Sequence, residues 1–316
     1  MGFTDAVKNI GKVQNQGLEF TLNSVNVKNK NFTWNSNFNI SFNRNKVLAL
    51  AENQSTLFTL ATWNIDLRTV PLYIAEVGQP VARFWGYQWE GNYQFSDFDE
   101  TAPGVYVLKS KIATYNKDRT LTKPGDIKYK DINGDGVVNT DDRTIIGNPN
   151  PKFTGGFSND ITWKNFDLNV FIEFSYGNDV MNGNRIIFEG GGRVNQNMYA
   201  TYLDRWTPEN QNNEFYRTNG RGPADFGYST RVVEDASYAR IKTVSLGYNI
   251  PARIISKARL KAVRVYTSAQ NLHTFTKYKG FDPEVSAYGN SALMPGFDYS
   301  VYPRSRTIIF GANISF

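Results

Sequence analysis

Between Phe32 and Asn43 (FTWNSNFNISFN) apolar and polar residues alternate. Phe32, Trp34, Phe38, Ile40 and Phe42 share one phase, with Ser36 the single break. Thr33, Asn35, Asn37, Asn39, Ser41 and Asn43 fill the other. A period of two predicts a strand with one greasy and one polar face. Leu18, Phe20 and Leu22 alternate in the same way with Glu19, Thr21 and Asn23, and the polar link Lys28-Asn29-Lys30-Asn31 predicts a hairpin between the two segments. The unit recurs at Phe157–Trp163 and Phe166–Tyr176, joined by a tight turn at Lys164-Asn165. It recurs again at Val244–Ile250, at Val263–Gln270 and at Thr307–Phe316. Roughly eight to ten strands follow, the fuller ones near the 9–11 residues that cross a bilayer when tilted.

Which face is buried decides the fold class. A soluble sandwich turns its apolar phase to a core and puts Lys, Glu and Thr outside. Here the polar phase is mostly Asn, Ser, Thr, Gly and Gln, and the apolar phase is rich in aromatic rings. That is the composition of a transmembrane barrel, with aromatic girdles outside and a small-polar lumen. Short turns such as Lys164-Asn165 contrast with irregular stretches at 44–80, 91–152 and 177–234. Short turns at one end and long loops at the other are the outer-membrane arrangement, and long structureless loops count against an ordinary compact domain. The pattern therefore predicts an all-β, antiparallel transmembrane β-barrel portion with long extracellular loops.

Composition narrows the function. Of 316 residues 40% are hydrophobic and 15% aromatic, too apolar for a disordered chain. No apolar run reaches the ~18 residues of a membrane helix. The absence of Cys removes disulfides, thiol catalysis and Cys-ligated metals, and the one His (His273) removes His-rich metal sites. The net charge of +6 is scattered, without the basic stripe that nucleic acid needs. Met1–Lys12 has neither the basic stretch nor the apolar run of a secretory signal. The remaining pattern favours a piece of a longer exported protein over a cytoplasmic one.

Three passages resemble the SusC/RagA family of TonB-dependent outer-membrane transporters. They are NIGKVQNQGLEFTLN (Asn9–Asn23), GDIKYKDINGDGVVNTDDRTIIGNPNPKFTGGFSN (Gly125–Asn159), and a closing set of YLDRWTPEN (Tyr202–Asn210), TKYKGFDPE (Thr276–Glu284) and YPRSRTIIFGANISF (Tyr302–Phe316). The resemblance implies that residues 1–316 form the C-terminal part of a 22-strand barrel, without the plug domain and TonB box. It implies import of a bulky nutrient, a glycan oligosaccharide or a peptide, across the outer membrane of a Gram-negative bacterium of the Bacteroidetes type. It also implies a SusD-like surface lipoprotein, TonB (through the missing N-terminal part) and outer-membrane lipid as partners. A portion of a barrel leaves two sheet edges whose backbone groups cannot stay unsatisfied in lipid, so the chain alone is expected not to transport. Two other classes remain: a soluble β-rich Ca²⁺-dependent glycan-binding module, and a glycosidase. The second is weak, because Asp167 and Glu173 lie six residues apart on one strand face. That is roughly 20 Å, too far for a glycosidase pair. No enzyme is expected.

The strongest local signal is Asp131–Asp142 (DINGDGVVNTDD), within the expected extracellular loop at 125–150. Asp131, Asn133, Asp135, Asn139 and Asp142 place oxygen donors at EF-hand-type spacing, and Val137 would offer its carbonyl. Gly136 occupies the sharp-turn position and Val138 the packing position. The pattern predicts a structural cation, Ca²⁺ or, because Asp142 is shorter than the usual Glu, Mg²⁺. An ordinary Asn/Asp/Gly turn is the plainer alternative. In Val81–Phe95, Trp85, Tyr87, Trp89, Tyr93 and Phe95 share a phase and read as an aromatic belt at headgroup level. That leaves Phe84, Gln88 and Glu90 toward the lumen as candidate substrate contacts. Arg193 and Arg217, with Arg185, Glu189 and Arg221, are loop charges that could meet substrate, or could simply be solvated. Asn195–Trp206 has helical spacing. His273, placed just after a strand, reads as structural; the resemblance implies that the terminal Phe316 is the outer-membrane assembly signal, the plainer alternative being the last lipid-facing residue of its strand.

Overall fold

The computed structural model describes residues 11–191, 195–289 and 291–316. Seven strands hydrogen-bond into one antiparallel sheet, each beside its neighbour in the list that follows. They are β1 (Gly11–Lys28), β2 (Phe32–Leu50), β3 (Phe153–Trp163), β4 (Phe166–Tyr176), β5 (Tyr238–Asn249), β6 (Ala262–Thr276) and β7 (Thr307–Ser315). This is fewer than the eight to ten expected, because the further strands are short and belong to the long loops. The connections alternate. β1–β2, β3–β4 and β5–β6 turn at 29–31, 164–165 and 250–261, whereas 51–152, 177–237 and 277–306 leave from the opposite end.

The register keeps the phases together across all seven strands. One row runs Leu22, Phe38, Phe157 and Ile172, and another runs Trp163, Phe166, Tyr248, Val265 and Ala312. Bulges at Val25/Val27 and Ile241/Thr243 absorb the irregular positions without moving the apolar set to the other face. His273 pairs with Ile241 inside β6 rather than after it, and its ring meets Phe275 at 4.5 Å.

The apolar face is bare. Leu18, Phe20, Leu22, Leu246, Ile308 and Phe310 are all exposed. Rings join along it at both ends: Trp163–Phe166 at 6.1 Å and Phe166–Tyr248 at 4.6 Å near the short turns, Phe42–Phe153 at 5.8 Å and Phe153–Tyr176 at 5.0 Å near the long loops. On β4 the two girdles are ten residues apart, from Phe166 to Tyr176. At ~3.4 Å per residue and a tilt of ~40° that separation is roughly 26 Å, the height of a barrel's apolar band. Among the described residues no second sheet covers this face, whereas the soluble-module reading calls for one.

The polar face is covered at its upper end by the long loops, which share a core of their own. Val47 at the top of β2 packs with Leu72, Tyr73 and Phe84 of the first loop, Met181, Ile186 and Tyr228 of the second, and Phe297 of the third. A second cluster joins Tyr87, Ile127, Tyr129 and Val138 to Tyr216 and Phe226. This packing corrects the aromatic-belt reading. Residues 81–95 lie within the first loop, where Tyr87 and Tyr93 are fully buried and Tyr87 stacks on Phe226 at 4.1 Å. The helical spacing of 195–206 yields only a 3₁₀ turn at Ala200–Asp204, since Pro208 and the packing of Trp206 against Phe95 stop it early.

Candidate functional site

The chemistry concentrates where the loop cap meets the barrel mouth. Arg240 rises from β5 on the polar face and is almost wholly buried. Its Nη2 donates to Asp282 at 2.5 Å, its Nη1 to Glu284 at 3.0 Å and its Nε to Thr274 at 2.9 Å. Glu173 of β4 accepts from Lys242 at 2.7 Å, and Arg304 reaches Glu284 at 2.6 Å. Burial pulls the Asp282 carboxyl up, but the Glu284 amide and the Arg240 guanidinium outweigh it and hold that carboxyl below the usual carboxylate range. These contacts fasten the loop 277–306 across the polar face. They bind loop to wall and leave no acid–base pair free for chemistry.

A second charged cluster lies inside the cap. Arg185, on the short helix Gly183–Phe188, pairs with Glu189 at 2.9 Å and Glu234 at 3.3 Å, while Arg231 pairs with Glu189 at 2.7 Å. Burial alone would lower the Arg185 pKa; Glu189 and Glu234 more than offset it, so the guanidinium stays charged. Tyr278 donates to Asp298 at 2.6 Å, and burial pushes that carboxyl up. The Arg and Glu groups serve as one another's counter-ions and the Tyr278–Asp298 hydrogen bond adds to them, so the arrangement is a clamp between loops.

The candidate substrate contacts do not converge. Phe84 is fully buried in the cap core and packs on Tyr73 at 5.3 Å, so it faces no aqueous channel. Gln88 is half-buried and its carbonyl accepts from the Lys130 amide, whereas Glu90 is exposed. Arg217 forms an ion pair with buried Asp126 at 2.7 Å, which makes it a structural counter-charge. Burial raises the Asp126 carboxyl even so. Arg193 lies outside the described residues.

In the Asp131–Asp142 loop Val138 is buried in the second cluster, as its packing role requires. The Asp131 carboxylate accepts from the amides of Gly134 and Gly136, both at 2.7 Å. Asn133 and Asp135 lie exposed, 3.1 Å apart through their side chains. Asp142 is fully buried, and its two oxygens take the amides of Ile132 at 2.7 Å and Asn139 at 2.8 Å. Asn139 caps the Thr140–Asp142 turn by accepting from the Asp141 amide. The donors fit a hard cation in type and order. Among the described residues, however, no three Asp, Glu or His side chains converge, and Asp142 braces the loop from within. Phe316 directly follows β7 and is 86% exposed.

Arg240, Asp282 and Glu284 were not singled out from the sequence. Their signal was there in part: Arg240 and Lys242 break the apolar phase of Val244, Leu246 and Tyr248, which the bulge at Ile241/Thr243 resolves by turning Arg240 to the polar face, and Asp282 and Glu284 stand in the FDPE passage.

No protein-family model matches the chain. It is 37% identical over its whole length to TonB-dependent receptor P3 of Formosa agariphila, and 31% identical to receptor P26 of the same organism. It is 26% identical over 98% of its length to TonB-dependent receptor SusC of Bacteroides thetaiotaomicron. The chain spans about 30% of the length of the curated relatives it matches. Among solved structures, the RagAB peptide transporter superposes with a TM-score of 0.73 at 24% identity, covering 98% of this chain and 30% of that one.

Proposed function

We propose that this chain, related throughout to a portion of the SusC/RagA-type TonB-dependent receptors, is a wall-and-cap portion of an outer-membrane nutrient importer. The observation that carries the reading is the sheet's asymmetry: one face is bare, apolar and girdled by rings, and the other is polar and roofed by loops that all leave from one end. The matched relatives are receptors and transporters, which supports this reading over an enzymatic one. A glycan oligosaccharide or a peptide is the cargo class, and a SusD-like lipoprotein is the partner that the roofed end would meet. Energy would come through TonB, contacted by parts of the importer outside this chain. The Asp131–Asp142 loop binds Ca²⁺ in a structural role. Asp131, Asn133, Asp135, the Val137 carbonyl and Asn139 face the ion, and Asp142 holds the loop in shape. Phe316 is the assembly signal.

The topology is tested by peptide tags in the full-length receptor. A tag at Gly104, where nothing stands within 4 Å of an added Cβ, should be labelled by antibody on intact cells. A tag at the Lys164-Asn165 turn should be labelled only after the outer membrane is opened. Equal labelling of both on intact cells would sink the reading. Deleting the receptor should abolish growth on the oligosaccharide or peptide it imports.

A further inference from the structure

The upper girdle on the bare face has a gap. Phe174 of β4 and Phe275 of β6 sit either side of Ala239 of β5 in one cross-strand row. With Phe153 and Tyr176 they wall a hollow of about 540 Å³ that reaches up to Lys277. Phe153 meets Phe174 edge-on at 6.2 Å, which stiffens one wall, and Phe275 is well exposed on the other. Two cations stand over the hollow. Lys277 is exposed directly beyond β6, and the Lys152 ammonium lies 6.0 Å above the Tyr176 ring. Arg44 adds a third nearby, its guanidinium donating to the Lys152 carbonyl at 2.8 Å. Two carboxylates stand at the same mouth, Asp235, which accepts from the Ser237 amide and hydroxyl at 2.9 and 2.5 Å, and Asp179, which accepts from the Asn148 amide at 2.7 Å, so the three cations exceed them by one charge.

We infer that this hollow binds an acylated lipid with a net anionic phosphate headgroup: one acyl chain lies in the Ala239 notch, and the phosphate, uncompensated by a cation of its own headgroup, meets Lys152 and Lys277. An acyl chain is what bathes this height of a barrel, and the excess positive charge at the mouth selects the headgroup. The inference rests on the membrane-spanning reading proposed above.

The test uses the full-length receptor, purified in detergent and stripped of lipid. It is titrated with phosphatidylglycerol or phosphatidylcholine, and bound lipid is counted by native mass spectrometry. The parent should prefer phosphatidylglycerol about thirtyfold, since two lysines each contribute a factor of roughly five. K152Q/K277Q should bring phosphatidylglycerol down to the phosphatidylcholine level. A239W should remove retention of both lipids, while A239G, which leaves the notch open, retains them. Equal binding of the two lipids by the parent, or unchanged binding in A239W, would overturn the inference. So would displacement by inorganic phosphate alone, because that would mean an anion site without an acyl slot. Surface labelling of the Gly104 tag on the same variants separates the two failures: a receptor absent from the outer membrane refutes the spanning reading, and a correctly placed one with unaltered lipid binding refutes only this inference.

Discussion

Removing the Arg240 side chain from the full-length receptor (Arg240→Met) should release the loop 277–306 from the barrel wall. Arg240 is the shared counter-charge of Asp282 and Glu284, and only 2% of its side chain reaches solvent. Breaking a buried pair by deleting one partner costs about 3–5 kcal/mol, because the other charge stays buried and uncompensated. Glu284 is 32% exposed and still holds Arg304, so water and Arg304 relieve part of that cost. The lower figure, about 3 kcal/mol, is therefore expected, and at 1.4 kcal/mol per factor of ten it is about a hundredfold in the opening equilibrium. The assay is hydrogen exchange of the amides at 277–306, with those of β4 as an internal control that should not change. Asp282→Asn should cost less, because Arg240 keeps Glu284. The double variant should cost at least ~1 kcal/mol less than the sum of the singles. Acid supplies an independent check. The folded-state pKa of Asp282 lies below its unfolded value, so its contribution is present above the ordinary carboxylate range, about pH 4, and is lost as pH falls through the depressed value. Exchange at 277–306 should accelerate in that acid window in the parent and not in Asp282→Asn. A loop that exchanges within threefold of the parent after Arg240→Met would refute the clamp.

Three further outcomes can be checked on the same receptor. Gly125→Val should disrupt the cap by more than ~2 kcal/mol, because Gly125 has φ +84° and a Cβ there would stand 2.4 Å from the Trp206 ring; faster proteolysis of the cap with unchanged surface labelling would show it. Asp142→Ala should cost the loop about 1–3 kcal/mol by stranding the amides it accepts and should weaken terbium luminescence, whereas Asp135→Ala should weaken luminescence with little change in exchange. Deleting Phe316 should lower the amount of assembled receptor in the outer membrane several-fold, while Ile314→Val, on the same face, leaves it near the parental level.

The barrel wall was legible in the sequence because its order is local. A two-residue period holds between the bulges at Val25/Val27 and Ile241/Thr243, and the apolar phases read for the seven long strands land on the bare face. The cap was not legible, for an equally physical reason. Its core is assembled from Val47, Phe84, Met181, Tyr228 and Phe297, residues that meet only after three loops have closed. No window of eleven to eighteen residues holds that information. Residues 81–95 show the consequence. Alternating Trp and Tyr carry the same signal on a lipid-facing strand and inside a loop core, because both environments reward an apolar ring with a polar tip. The partner decides between them: Tyr87 lies against Phe226 and Tyr129, far along the chain.

The same distinction separates the chemistry that could be read from the chemistry that could not. The cation loop is contiguous, so donor type and spacing stand in the text of the sequence. Even there the folded chain changes one role, turning Asp142 inward onto amides. The mouth clamp is built from β4, β5, β6 and a loop, with Arg240 and Asp282 joined across 42 positions of chain. A charged residue breaking the apolar phase of a strand, and the acidic pair in the FDPE passage, were the local hints. In barrels of this kind such an exception marks where something outside the sheet must come down on the wall, because a lone guanidinium on a bare lumen face would have no reason to be buried. Glu173 is a second exception of this sort, answered within the wall by Lys242 at 2.7 Å and from the loop by Arg304 at 4.0 Å. Asp167 is a third. On the same polar face but near the short turns, it takes Arg264 of β6 at 3.0 Å. That pair stays within the wall, lying flat over Gly247, where a Cβ would collide with the guanidinium at 2.4 Å. The charged exceptions near the loops recruit the cap, whereas those near the turns are answered within the sheet, Asp167 by Arg264 and Asp160 by Asn169 at 2.8 Å.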